Sequence, residues 1–185
     1  MKAAREKGVP IVFDPVGAGA TPYRSRTARE LVKTATPAII RGNASEIMAM
    51  ADGMTRTRGV DSLDSSHHAL NVAKQLGLDL GAVICVSGEI DYIVDSARAF
   101  QVRNGHPMMP KVTGLGCTAT ALCGAFAAVE KDSFMAAVCA MAVMGITGEI
   151  AGEDCPGPGS FQVRFVDALY GLAERDMARI KVEGV

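Results

Sequence analysis

Val9-Pro10-Ile11-Val12-Phe13-Asp14-Pro15-Val16-Gly17-Ala18-Gly19-Ala20-Thr21-Pro22 is the stretch on which the fold turns. Its first five residues form a short, continuous apolar run, the pattern of a strand buried in a parallel sheet. A carboxylate and a turn-rich loop follow at once. Upstream, residues 1–7 read as a helix with no cap, stopped by Gly8. Downstream, residues 27–35 read as a helix and residues 37–41 as a second buried strand. Asn43-Ala44-Ser45-Glu46 then opens another helix as a capping box, with Asn43 at the N-cap and Glu46 three residues on.

The same alternation continues. Residues 52–64 read as a polar loop, 65–76 as an amphipathic helix and 82–86 as a third buried strand. Residues 91–95 and 98–102 form a short hairpin around Ser96-Ala97. Residues 117–129 and 133–151, rich in small apolar side chains, read as two buried helices. A last amphipathic helix covers 161–180, interrupted at Gly171. Strand–loop–helix repetition of this kind predicts one α/β domain over residues 1–185, a sandwich with a mostly parallel central sheet.

Composition narrows the function. The 185 residues carry 19 Lys+Arg against 20 Asp+Glu, a net charge of −1, which argues against nucleic acid as a partner. Cys85, Cys117, Cys123, Cys139 and Cys155 form no C-x-x-C pair and are odd in number, so a disulfide framework or zinc site is not expected. The first residues lack the apolar core of a signal peptide. Glu130, Lys131 and Asp132 cut the most apolar stretch into pieces too short to span a bilayer. The expectation is a cytoplasmic protein without a membrane partner.

In open α/β folds, ligands bind beyond the carboxyl ends of the parallel strands. Asp14 follows the first strand, Arg41 to Glu46 the second, and Ser87-Gly88-Glu89 the third. Thr113-Gly114-Leu115-Gly116-Cys117 leads straight into a helix, where glycines admit a ligand closely and free N–H groups attract an anion. It is neither a Walker A loop nor a G-x-G-x-x-G fingerprint. His106 reads as a turn residue before Pro107, His67 and His68 as solvated. Met48, Met50, Met54, Met141 and Met144 read as core filler.

Taken with Gly105-His106-Pro107, Lys111-Val112-Thr113-Gly114-Leu115-Gly116-Cys117 and Gly157-Pro158-Gly159-Ser160-Phe161, these motifs stand in an order that closely resembles the hydroxyethylthiazole kinase family of the ribokinase-like superfamily. The likeness runs from the first residues to about Tyr170. It implies a ribokinase-like three-layer sandwich and ATP-dependent phosphorylation of 4-methyl-5-(2-hydroxyethyl)thiazole with Mg²⁺, in thiamine salvage. It also implies a homotrimer whose active sites lie between subunits.

Carried over by position, the resemblance implies that Arg41, Asn43 and Ser87 bind ATP. Gly114 and Gly116 form the substrate site and anion turn, and Asp14 and Glu46 serve the metal, through water. Cys117 stands where most ribokinase-like enzymes place an aspartate base, and it is the expected catalytic residue. Leu115 and Ser87 depart from the family pattern, each standing where threonine is usual. The resemblance further implies N-terminal βαβ units, about 70–90 residues, and part of the thiazole pocket outside this chain. Two rivals remain at this point. One is another ribokinase-like vitamin-precursor kinase, which would usually carry Asp at position 117. The other is a truncated, silent relative.

Overall fold

The structure, a computed structural model, describes residues 1–52, 54 and 65–185. The polar loop expected at 52–64 falls, apart from Asp52 and Met54, outside the described residues. The elements in order are α1 (Lys2–Glu6), β1 (Val12–Phe13), α2 (Pro22–Thr34), β2 (Ile39–Asn43), α3 (Ala44–Ala51) and α4 (Ser65–Leu80). There follow β3 (Val83–Ser87), β4 (Asp91–Val94), β5 (Ala99–Val102), α5 (Leu115–Ala127), α6 (Ser133–Gly152), α7 (Pro158–Gly171) and β6 (Val182–Gly184).

These strands form one sheet in the order β1-β2-β3-β4-β5-β6. β1, β2 and β3 run parallel, and β4, β5 and β6 continue the sheet antiparallel. The sheet is therefore mixed: its parallel character belongs to the three strands whose ends carry the motifs. The hairpin turns its remainder around. β1 is two half-buried residues rather than the buried five-residue strand expected, because within the described sheet it pairs on one side only.

Side-chain alternation divides the core in two. Ile39, Val83, Cys85, Ile93 and Val102 face α5, α6 and α7. Ile40, Ile84, Val86 and Val94 face α2, α3 and α4. A period of two sends every second residue to the opposite layer, and the result is the expected three-layer sandwich. Arg41 and Ser87 lie in phase with Ile39 and Cys85, so their side chains emerge on the α5–α6 face. That phase decides where the polar site forms.

α6 is the centre of its layer, with thirteen of its twenty residues buried. By length and composition it is long and apolar enough to cross a bilayer, contrary to the sequence expectation for this stretch, yet the helix is mostly buried within the fold. α5 departs the other way. Only Leu115, Ala119, Cys123 and Ala127 are buried, a stripe at every fourth residue, so the helix is half-exposed rather than enclosed. Met50, Met141 and Met144 are core residues as expected, whereas Met48 is exposed.

Candidate functional site

The ends of β1, β2 and β3 converge on one guanidinium. Arg41, its side chain 11% exposed, donates from Nη2 to Ser87 Oγ at 2.6 Å and from Nη1 to the Gly116 carbonyl at 3.1 Å. Nη1 also lies 3.6 Å from Asp14 Oδ2. Register produces the first of these bonds, since Arg41 pairs with Cys85 and Asn43 with Ser87 across β2 and β3. Among the described residues Arg41 Nε, which is buried, has no hydrogen-bond partner, and that costs stability.

Asp14 is held from the other side. Thr120 Oγ1, on α5, donates to Asp14 Oδ2 at 2.7 Å. Thr120 was not singled out from the sequence. Its place one helical turn after Gly116 is the only local cue.

The capping box forms in full. Asn43 Oδ1 accepts the Glu46 N–H at 2.9 Å, and Glu46 Oε2 accepts the Asn43 N–H at 2.9 Å. Glu46 does one thing more: Oε1 accepts the Gly17 N–H at 2.8 Å, pinning the turn-rich loop after β1 to α3. Among the described residues no group of three His, Cys, Asp or Glu could hold a metal directly. Glu46 has each oxygen on a backbone N–H, and Asp14 offers Oδ1. That donor set fits a hydrated Mg²⁺ contacted through its waters, which is how Mg²⁺ commonly binds protein.

Gly114 is the N-cap residue of α5 at φ 97°, a left-handed backbone. No side chain caps it, and the first helical bond is Thr118 N–H to the Gly114 carbonyl at 3.0 Å. The N–H groups of Leu115, Gly116 and Cys117 therefore precede the helical ladder as open donors. Leu115 is buried in the core and anchors the turn from below, and Cys117 is exposed on its rim. A Cβ on Gly114 would meet no atom within 4 Å, so Gly114→Ala tests backbone strain alone. We expect it to cost about 1–2 kcal/mol, read as a lowered Tm.

A cavity of about 980 Å³ opens beside this arrangement. Arg41, Asn43, Ser87 and Gly116 line it, whereas Asp14, Glu46, Gly114 and Cys117 do not; Asp14 is joined to it through Arg41. Its far wall is residues 104–109, including His106, which stacks on Phe161 with ring centroids 5.7 Å apart. His106 Nδ1 accepts the Met108 N–H at 3.2 Å, the turn role expected of it. The size falls within the usual range for small-molecule sites. A second cleft of about 370 Å³ lies between α4 and the β4–β5 turn and holds none of the motif residues.

Asp91 was missed. It is 8% exposed, lines the cavity, and accepts the Gly88 N–H at 2.9 Å. Burial pushes its carboxyl up to about 6, against the opposing pull of that N–H and of Arg41. The cue lay in the alternation of Asp91-Tyr92-Ile93, which puts Asp91 on the inner face with Ile93.

A sheet whose parallel strand ends gather an arginine, a carboxylate and a glycine-started helix between two helical layers defines a ribokinase-like α/β protein. The hydroxyethylthiazole kinase protein of Pyrococcus horikoshii OT3 superposes with a TM-score of 0.89 at 36% identity, over 98% of this chain and 68% of that one. Pyridoxal kinase from Staphylococcus aureus superposes at 0.63 with 18% identity, over 95% of this chain and 62% of that one, a likeness of fold alone. The chain belongs to the hydroxyethylthiazole kinase family, whose profile matches residues 1–175. The hydroxyethylthiazole kinase of Syntrophus aciditrophicus (strain SB) is 56% identical over 180 residues, 97% of this chain and 66% of that protein. The chain thus spans about two thirds of the length of the curated relatives it matches, 64–66% for the first of them.

Proposed function

We propose that this chain transfers the γ-phosphoryl group of ATP to the primary alcohol of hydroxyethylthiazole, a reaction of thiamine metabolism. The observation that carries the reading is the meeting of Arg41 with the glycine turn that starts α5, on the wall of the cavity. Phosphoryl transfer gains chiefly from positioning and charge stabilisation, and this corner supplies both. Arg41, steadied by Ser87 and Asp14, offers a fixed cation to the nucleotide phosphates. The N–H groups of residues 115–117 cradle the transferring group, whose charge grows on its equatorial oxygens.

Asn43 extends the nucleotide side of the cavity, and Gly114 leaves room for the acceptor alcohol beside the turn. Mg²⁺ would neutralise phosphate charge, held through water by Asp14 and Glu46. The alcohol oxygen bonds to the γ-phosphorus, the bond to the β–γ bridging oxygen breaks, and ADP leaves. Cys117, on the rim of the turn, holds the hydroxyl and takes its proton weakly. Family membership supports a trimer with sites shared between subunits, and dependence on ATP suits the cytoplasm.

Thiazole-dependent release of ADP, measured with the purified chain, ATP and Mg²⁺, tests the reading. Nucleotide binding without turnover of the alcohol would overturn it. Cys117→Ala separates the role of the thiol: kcat should fall about tenfold with the KM for ATP unchanged. A kcat equal to the parent's would remove Cys117 from the reaction.

A further inference from the structure

Among the described residues Asp91 is the one buried carboxyl that the mechanism above leaves unused. It stands at the start of β4 and shares the cavity wall with Arg41 and Ser87, and among the described residues it has no salt-bridge partner. Its Oδ1 holds the Gly88 N–H at 2.9 Å. That bond closes the turn that begins at Ser87, whose Oγ in turn receives Arg41 Nη2. A chain of two hydrogen bonds therefore runs from Asp91, through the turn, to the guanidinium. The carboxyl also acts on Arg41 directly through charge.

We propose that Asp91 is a positioning residue for the anion site: it fixes the turn that steadies Arg41, and its charge state sets how strongly Arg41 attracts a phosphate. The inference rests on the reading of this corner as a nucleotide phosphate site. Neutral Asp91 leaves Asp14 as the carboxylate paired with Arg41 among the described residues. Ionised Asp91 opposes the Arg41 charge from a second side.

Among the described residues, the neighbours that could imitate this behaviour are few. From β2 comes Arg41, from β3 Cys85, and from α5 Cys123. Burial raises Cys85 well above its ordinary range and pushes Cys123 up to about 11, so both remain neutral thiols where Asp91 titrates. Glu89, Arg103 and His106 line the same cavity. The carboxyl gives up its proton at about pH 6, so anion affinity should fall as pH rises through that value. A bound phosphate pushes the carboxyl higher still, and binding near that pH should take up protons.

The test is calorimetric binding of ADP, and separately of inorganic pyrophosphate, to the whole chain and to Asp91→Asn between about pH 5 and about pH 8. The amide keeps an acceptor for Gly88 and cannot ionise. Taking the ratio of parent to variant affinity removes the titration of the ligand itself. The ratio should fall by about threefold to tenfold across the range. The parent should also take up protons on binding that the variant does not, read by comparing buffers of different ionisation enthalpy.

Asp91→Ala, which also loses the Gly88 bond, should bind more weakly than Asp91→Asn at every pH; equal affinities would overturn the turn-fixing half of the proposal. A ratio that stays constant while both proteins bind would overturn the charge half and leave the kinase reading standing. Failure of every form to bind either anion would overturn both. Turnover of the thiazole alcohol is not read in this experiment, so an error in the acceptor does not disturb it.

A control for folding follows from the same group. Between about pH 4 and pH 6 the folded chain keeps the Asp91 proton and the unfolded chain releases it. Stability owed to Asp91 is therefore lost as pH rises through this window. The parent Tm should decline there relative to that of Asp91→Asn.

Discussion

Arg41→Ala should lower kcat/KM for ATP by about 10²–10³-fold while the chain stays folded. The guanidinium is where three strand ends and α5 meet: Ser87 Oγ at 2.6 Å, the Gly116 carbonyl at 3.1 Å and Asp14 Oδ2 at 3.6 Å. Its removal takes away the fixed cation of the proposed phosphate site and frees Ser87 and Gly116 from their shared partner. Asp14 keeps its bond to Thr120, so the loop after β1 stays tied to α5. Arg41→Lys should recover only part of the loss, because an ammonium cannot reach Ser87 and Gly116 together with the geometry of a planar fork. Steady-state kinetics with circular dichroism as the folding control would check both variants. A parent-like kcat/KM in Arg41→Ala would contradict the placement of the nucleotide.

Gly145→Ala should destabilise the protein although it adds a better helix former to the interior of α6. Helix propensity alone favours the change by about 1 kcal/mol. Packing reverses the sign. A Cβ at residue 145 would stand 2.6 Å from the backbone carbonyl oxygen of Asn104 and 2.7 Å from its carbon, and backbone cannot swing aside. Asn104 is also fastened elsewhere. Its side chain bonds Glu149 at 3.0 Å, the Arg179 carbonyl at 2.8 Å and the Lys181 N–H at 2.8 Å.

The added methyl must therefore push residues 104–109, the far wall of the cavity, away from α6. Overpacking of this kind costs about 3 kcal/mol at the upper end of its usual range, leaving a net loss of about 2. Tm should fall by about 4–8 °C for a chain of this length. Gly124→Ala on α5 is the internal comparison, since its Cβ would meet no atom within 4 Å. There propensity acts alone and Tm should rise. The same exchange in two helices should thus shift stability in opposite directions.

What the sequence revealed follows from how local each signal is. The capping box joins Asn43 and Glu46 three residues apart, so both of its bonds were legible before any tertiary contact was considered. The runs at 37–41 and 82–86 were legible as buried strands because β2 and β3 have neighbours on both edges and helices over both faces. The start of α2 was less visible. Thr21 and Pro22 looked like loop residues, yet Thr21 caps the helix through Arg24 N–H and Pro22 occupies its first turn. β6 was missed altogether, since its one apolar residue, Val182, gains its meaning by pairing with Val102 far back in the chain.

The site divides in the same way. Asp14, Asn43, Glu46, Ser87, Gly114, Gly116 and Cys117 stand at or just after strand ends or open helices, where chain position advertises them, and Arg41, expected to follow the second strand, lies two residues before the end of β2. The structure joins Arg41 to Asp14, Ser87 and Gly116, and Asn43 to Glu46, as two linked groups rather than one cluster. Thr120 and Asp91 carry no such flag: one lies inside a helix, the other in a hairpin strand. Thr120 reaches Asp14 only through the approach of α5 to β1, and Asp91, whose bond to the Gly88 N–H is local, comes beside Arg41 only in the folded sheet. The glycines of α6 read as close packing, but what packed against them, residues 104–109, could not be read.

The proposed acceptor is tested by transfer of labelled γ-phosphate from ATP to three alcohols offered separately to the whole chain: hydroxyethylthiazole, hydroxymethylpyrimidine and pyridoxal, with Mg²⁺ present. Structures of pyridoxal kinases share this fold, so fold alone does not choose the acceptor. A labelled thiazole phosphate should form with a kcat/KM at least about 10²-fold above either other alcohol, the discrimination expected of a site shaped for one acceptor. Preferential labelling of pyridoxal or the pyrimidine, or no labelled alcohol while ATP binds, would contradict it.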